Sequence, residues 1–160
     1  KLATFFVGEY EIKKKIKLIE FCDECQKVGL DMRYNENIKE KIWEKFIFLS
    51  AYSGITTLTN KTIGEIFDDD ILKEKFILAM NETYDLSKSF NVHFKNNPVE
   101  FWLTKIAKMP YDMTSSMFLD YTKKKRLELD WLSGFIVSSS QNKKTKSIIH
   151  QEIVEGINTK

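Results

Sequence analysis

The spacing of apolar and polar positions changes character near residue 37. Before it, Thr4-Phe5-Phe6-Val7-Gly8-Glu9-Tyr10 is dense in aromatic and β-branched residues and predicts a strand. Lys13 to Lys27 scatters Ile16, Ile19 and Phe21 among charges, which reads as a surface helix, with Gly29 as its stop. Leu30 to Tyr34 is a second short extended run. Residues 1–36 therefore read strand–helix–strand, a unit that wants further sheet partners.

From Asn37, a suitable N-cap, the pattern becomes all-helical. A helix over Ile38 to Leu58 carries Ile42, Trp43, Phe46, Ile47, Phe48, Leu49 and Ala51 around its whole circumference, which predicts burial among other helices. Thr62 to Phe67 reads as a short connecting turn. Asp68, Asp69 and Asp70 cap and charge the start of a helix over Ile71 to Phe90, whose stripe is Leu72, Phe76, Ala79, Thr83, Leu86 and Phe90. Pro98 opens a helix through Lys108, and Pro110 ends it. Thr114 to Tyr121 and Glu128 to Val137 are two further helices, parted by Lys123-Lys124-Lys125-Arg126. Ser138 to Lys144 reads as a polar loop, and Ser147 to Ile157 closes the chain as an amphipathic helix. The expected fold is mainly α: five to seven helices over 37–160, behind a strand–helix–strand remnant over 1–36.

Composition narrows the classes. At 160 residues the chain supports about one domain, with 12 Phe, 6 Tyr and 3 Trp for its core. Only 6 Gly and 2 Pro argue against a turn-rich β fold. A net charge of +2 lacks the clustered excess of a nucleic-acid binder, so no nucleic-acid partner is expected. The longest near-apolar run, Phe46 to Ile55, is about half of a membrane span. The chain opens on Lys1, directly into a strand, and is expected to be a piece of a longer protein. Two cysteines and no visible signal peptide point to a reducing, cytoplasmic setting.

Most candidate chemistry reduces to structure. Cys22-Asp23-Glu24-Cys25 has redox and zinc spacing, but it lies inside a charged helix and no second ligand pair exists, so no metal is expected. His93 and His150 carry no partner pattern and are expected in loops or on the surface. Lys123 to Arg126, without interleaved aromatics, reads as a solvated segment. No glycine-rich phosphate loop is present in the sequence.

Lys45 stands out as a cation in a helix that is otherwise apolar. Phe48, Leu49, Tyr52, Ser53 and Thr56 share its face. Such a lysine either snorkels to water or sits in a semi-buried pocket, where its pKa falls and suits a proton donor.

The order Ile42-Trp43-Glu44-Lys45-Phe46, Gly54-Ile55-Thr56-Thr57-Leu58-Thr59, Gly64, Glu82, Ser115-Ser116-Met117-Phe118-Leu119-Asp120, Arg126-Leu127-Glu128-Leu129-Asp130 and Gly134 resembles the C-terminal domain of ketopantoate (2-dehydropantoate) reductases. Val7-Gly8-Glu9 and Val28-Gly29-Leu30 resemble the tail of that family's N-terminal domain. The resemblance implies a helical domain like the C-terminal domain of 6-phosphogluconate dehydrogenase. It also implies an N-terminal domain that binds NADPH, with an active site completed by the helical domain. Lys45 then protonates the carbonyl of a small 2-oxo acid as hydride arrives, Ser116 binds its carboxylate, and Glu128 contacts the cofactor. The isolated piece would be inactive.

The pattern departs one and two turns after Lys45. The family places substrate-binding Asn there, whereas this chain has Leu49 and Ser53. An apolar Leu49 favours an aliphatic 2-oxo acid, so reduction of another branched 2-oxo acid stands as the alternative to ketopantoate. A non-catalytic helical interaction domain is the alternative from a different class. Exposed aromatic helix faces would suit a homodimer.

Overall fold

The computed structural model describes residues 4–10 and 15–159. The chain divides into two compact units, Lys1–Trp43 and Glu44–Lys160.

In the first unit, β1 (Phe5–Val7) and β2 (Met32–Tyr34) pair in parallel, with Phe5 opposite Met32 and Val7 opposite Tyr34. Parallel strands need a crossover, and α1 (Lys15–Lys27) supplies it. Gly29 stops that helix at φ +85°, a conformation that favours glycine. The expected start of the helix at Lys13 lies outside the described residues. β1 is shorter than the expected Thr4–Tyr10. It ends at Gly8, where a Cβ would lie 2.2 Å from the Asn35 carbonyl oxygen. Cys22 is buried and Cys25 half-buried, both are free, and burial pushes the Cys22 thiol up. Cys22 is therefore not an activated thiolate.

The helical part runs α2 (Ile38–Thr59), α3 (Ile63–Phe67), α4 (Asp70–Ser89), α5 (Pro98–Ile106), α6 (Ser116–Thr122), a 3-10 turn (Leu129–Trp131), α7 (Ser133–Lys143) and α8 (Ile148–Asn158). The division between the units falls inside α2. The fold is mainly α, as the hydrophobic spacing predicts. From Ile47 onward α2 is the bundle's central helix: Ile47, Ala51 and Ile55 are fully buried, and they join Phe76, Ala79 and Met80 of α4 and Ile153 of α8 in one core. Two glycines let α2 and α8 approach closely. A Cβ on Gly54 would lie 2.8 Å from Ile153 Cδ1, and one on Gly156 would lie 2.5 Å from Leu58 Cδ1.

Asp69 caps α4 by accepting from Ile71 N and Leu72 N, as expected of the acidic run. Three expectations fail. Thr62–Phe67 is a helical turn, because Thr62 and Glu65 form a reciprocal capping box that satisfies its first amides. Ser138–Lys144 is the second half of α7, which continues to Lys143 and stops with Lys144 in the left-handed region. In that helix the exposed Ser138 bonds its Oγ back to Phe135 O, and Ser140 is buried where a loop would solvate it.

The third is His150, which is fully buried. Its Nδ1 lies 3.0 Å from Ser133 Oγ, and its Nε2 lies 3.0 Å from the Ala79 carbonyl and 2.9 Å from Thr83 Oγ1. A carbonyl only accepts, so the proton is assigned to Nε2 and Ser133 donates to Nδ1. Thr83 Oγ1 lies 3.2 Å from Ser50 Oγ, which also bonds to Ile47 O. The Glu82 carboxylate accepts the Ile149 and His150 amides and caps α8. One polar chain thus joins α2, α4, α7 and α8.

Burial pushes the His150 pKa down to about 4, below its ordinary 6.5. The native state therefore binds fewer protons than the unfolded chain between those values. Stability is full above pH 6.5 and falls as pH drops toward 4, by about 3 kcal/mol for a shift of this size. Urea midpoints at pH 7 and pH 4.5 should differ accordingly. In His150→Gln that difference should shrink markedly, and an unchanged difference would assign the acid sensitivity to carboxylates instead.

Candidate active site

Lys45 lies on α2 with its side chain exposed. The turn that carries it is braced from its buried side. Trp102 of α5 donates its indole N–H to the Glu44 carbonyl at 2.6 Å and stacks on Phe48, ring centroids 4.3 Å apart. Phe48 stacks in turn on Tyr52 at 5.0 Å. Burial pushes the Tyr52 phenol up to about 12, so it is a neutral hydroxyl, and among the described residues it has no hydrogen-bond partner. Of the two environments open to Lys45, the solvent-facing one is observed. Leu49 is half-buried and Ser53 is 1% exposed on the same helix face.

Ser116 opens α6, exposed, directly after the N-cap Ser115. The cap is buried, and its hydroxyl lies 2.8 Å from Thr56 Oγ1 of α2, about three turns beyond Lys45. The chain leading into it docks on α3: Ile63 N donates to Met113 O at 2.9 Å and Gly64 N to Tyr111 O at 3.0 Å. The Tyr111 hydroxyl reaches Asp68 at 2.8 Å, and its ring lies over Gly64 so closely that a Cβ there would come within 2.2 Å of it.

Glu128 precedes the 3-10 turn, and its carbonyl accepts from Trp131 N and Leu132 N. Its carboxylate is exposed. The basic run before it includes Lys124 in the left-handed region, and Arg126 lies 4.8 Å over the ring of Trp131. Seven residues after Glu128, Phe135 of α7 packs edge-on against Phe46, the neighbour of Lys45.

The structure thus ties the segments bearing Ser116 and Glu128 to the helix that bears Lys45. It does not join the three side chains to one another. Among the described residues, Lys45, Ser116 and Glu128 make no side-chain hydrogen bond or ion pair. A cation, a hydroxyl and a carboxylate held on braced segments with their polar atoms uncommitted can serve an anionic, carbonyl-bearing ligand. Among the described residues no three His, Cys, Asp or Glu side chains gather as metal ligands would, and no helix is long and apolar enough to cross a membrane.

A family model, ketopantoate reductase PanE/ApbA C terminal, matches residues 37–160. The chain belongs to that family. Among curated relatives it is 23% identical over 137 residues to the uncharacterized oxidoreductase YkpB of Bacillus subtilis, covering 86% of this chain and 45% of that protein. It is 27% identical over 122 residues to 2-dehydropantoate 2-reductase of Pyrococcus horikoshii, covering 74% and 40%. The chain therefore spans less than half the length of these relatives. A solved structure of dimeric ketopantoate reductase from Staphylococcus aureus superposes with a TM-score of 0.84 at 18% identity, over 98% of this chain and 54% of that one. D-mandelate dehydrogenase with NADH superposes with a TM-score of 0.84 at 15% identity, over 96% and 53%. At these identities the structural likeness speaks for the fold, which this ketopantoate reductase C-terminal domain shares.

Thr56, Ser115 and Tyr111 hold the Ser116 segment in place, and sequence reasoning assigned them no role. A serine three residues before Phe118, ahead of an apolar run, is an N-cap signal that points to Ser115. Nothing in the sequence pairs it with Thr56, 59 residues away. Gly64→Ala should push the Tyr111 ring off α3, lowering stability by about 1–3 kcal/mol. It should also weaken the Tyr111–Asp68 bond, which a tyrosine fluorescence titration would register as a downward shift of a phenol now held up by that carboxylate.

Proposed function

We propose that this chain is the C-terminal catalytic part of an NADPH-dependent 2-oxo-acid reductase that converts 2-dehydropantoate to pantoate, a step toward pantothenate and coenzyme A. Residues 1–36 would be the last strand–helix–strand of a dinucleotide-binding domain, and residues 37–160 the helical substrate domain. The observation that carries the reading is the exposed Lys45, unpaired among the described residues, on a family-matched helix to which both the Ser116 and the Glu128 segments are packed.

NADPH, when bound, supplies the hydride to the carbonyl carbon. This chain lacks a glycine-rich phosphate loop, so a preceding domain would bind most of the cofactor. The exposed Glu128 carboxylate, unpaired among the described residues, fits an acceptor for a sugar hydroxyl. As the carbonyl oxygen gains charge, the Lys45 ammonium stabilises it and delivers the proton from Nζ. The Ser116 hydroxyl donates to the substrate carboxylate and fixes which face of the ketone meets the hydride. Both cysteines are free, in keeping with a reducing, cytoplasmic setting. A homodimer is proposed from the dimeric relative and from exposed Phe101 and Trp131.

The half-buried Leu49 favours a second substrate class within the same reaction. Without an amide at that position, a substrate hydroxyl loses a partner, and an aliphatic or otherwise apolar 2-oxo acid loses nothing.

Lys45→Ala in the full-length protein should lower kcat by about 10²–10⁴-fold with an unchanged melting temperature, since the side chain is exposed. Steady-state rates decide it, and undiminished turnover would remove Lys45 from the mechanism. In a panel of 2-oxo acids, Leu49→Asn should raise kcat/KM for 2-dehydropantoate relative to 2-oxoisovalerate by about tenfold or more. A ratio that does not move would free Leu49 of any part in selectivity.

A further inference from the structure

The contact between α2 and α6 has a fixed direction. Thr56 Oγ1 lies 2.6 Å from the Tyr52 carbonyl, which can only accept, so the Thr56 proton is committed to it. Thr56 must then accept across the 2.8 Å contact with Ser115, and Ser115 is the donor there. Ser115 Oγ in turn accepts the Phe118 amide at 3.1 Å. The result is a one-way relay: Phe118 N–H to Ser115 O–H to Thr56 O–H to Tyr52 C=O. Both hydroxyls are buried, Thr56 fully and Ser115 to within 2%. Each is left with no donor to spare and no solvent to turn to.

A helix cap does not require this. Ser115 alone satisfies the Phe118 amide. The added Thr56 link does something a cap cannot: it fixes the start of α6 relative to the backbone of α2, on the helix face that carries Lys45. Ser116 follows Ser115 directly, with an exposed side chain that bonds to nothing else among the described residues. Its position relative to Lys45 is inherited from its neighbour's hydrogen bond.

We propose that Thr56 and Ser115 form a positioning relay that sets the distance between Ser116 and Lys45, and so governs recognition of the substrate carboxylate. This rests on the reductase reading above. Thr56 touches no substrate. Its hydroxyl acts through Ser115, and a displacement of about 1 Å at Ser116 is enough to matter for binding.

The test is a kinetic series in the full-length protein with 2-dehydropantoate and 2-oxoisovalerate as substrates, varying each acid and NADPH in turn. Thr56→Val keeps the shape and removes the acceptor. It should raise KM for the 2-oxo acid about tenfold or more, with KM for NADPH within about twofold. Thr56→Ser, which restores the acceptor, should recover the loss. Ser115→Ala and the Thr56→Val/Ser115→Ala pair should show the same rise rather than its square, as members of one relay do. A cap without a positioning role predicts otherwise: Ser115→Ala lowers the melting temperature, and Thr56→Val leaves KM alone. That outcome overturns the relay, as does a Thr56→Ser variant no better than Thr56→Val. Should Thr56→Val fail to fold, Ser115→Ala against Ser115→Thr carries the same comparison from the other side. A wild-type protein that reduces neither acid overturns the reductase reading and the positioning role together. An active wild type with an unmoved KM overturns the positioning role alone.

Discussion

The His150 imidazole accepts from Ser133 on one nitrogen and donates from the other to the Ala79 carbonyl and Thr83, and Thr83 continues to Ser50. Four helices meet at these contacts, and apolar packing alone would let them slide or rotate against one another with little change in buried area. A directional hydrogen bond does not allow that, because each displaced donor or acceptor would be left bare where no water reaches it. The same register brings Gly54 of α2 against α8 at a separation that admits no side chain. Glu82 then meets the first amides of α8 where they need an acceptor. The polar chain determines how the helices cross, and the apolar core fills what that crossing leaves.

With α2 held in this way, it becomes the reference against which the exposed residues are placed. The aromatic stack of Trp102, Phe48 and Tyr52 stiffens one side of the Lys45 turn. Phe135 meets Phe46 on the next position of the helix, and Thr56 takes Ser115 further along. The Thr56 and Ser115 hydroxyls that position Ser116 are buried and paired, and the three groups read as chemical are solvated and, among the described residues, unpaired. That division follows from physics. A buried hydroxyl is costly unless the protein satisfies it, whereas an exposed cation or carboxylate costs the fold little and keeps its polar atoms for a ligand.

Much of this was legible because hydrophobic spacing reports burial. The circumferential apolar pattern of α2, the acidic cap of α4, Pro98 at the start of α5 and the strand–helix–strand opening all appear close to where the residues place them. What was illegible depended on partners distant in sequence. His150 looks like a surface residue within its own helix, because Ala79, Thr83 and Ser133 lie 71, 67 and 17 positions away. The serines after Val137 favour a loop by local preference, yet tertiary packing extends α7 through them. The Thr62–Glu65 box was a local signal within reach, and the adjacent glycine outweighed it. For the site, the types and order of Lys45, Ser116 and Glu128 were readable, and the relay that places Ser116 was not.

The two positions between Lys45 and Thr56 separate what the fold supports from what it leaves to the substrate. Ser53 is buried, with little of it left to meet a ligand, whereas Leu49 is half-buried and presents apolar surface one turn from the cation. In the proposed reductase an ammonium and a hydroxyl would recognise the 2-oxo acid function, which every candidate substrate shares. They cannot distinguish one side chain from another. Discrimination must come from groups facing the rest of the molecule, and a leucine rewards methyl groups while leaving a hydroxyl unpaired at a cost of about 1–3 kcal/mol. On the proposed reading, a chain that keeps the cation and the hydroxyl but presents leucine at this turn would retain the means of reducing a 2-oxo acid. It would also lack one polar contact by which a hydroxylated substrate would be preferred. On that reading reaction class and substrate choice rest on different residues, and they can change independently.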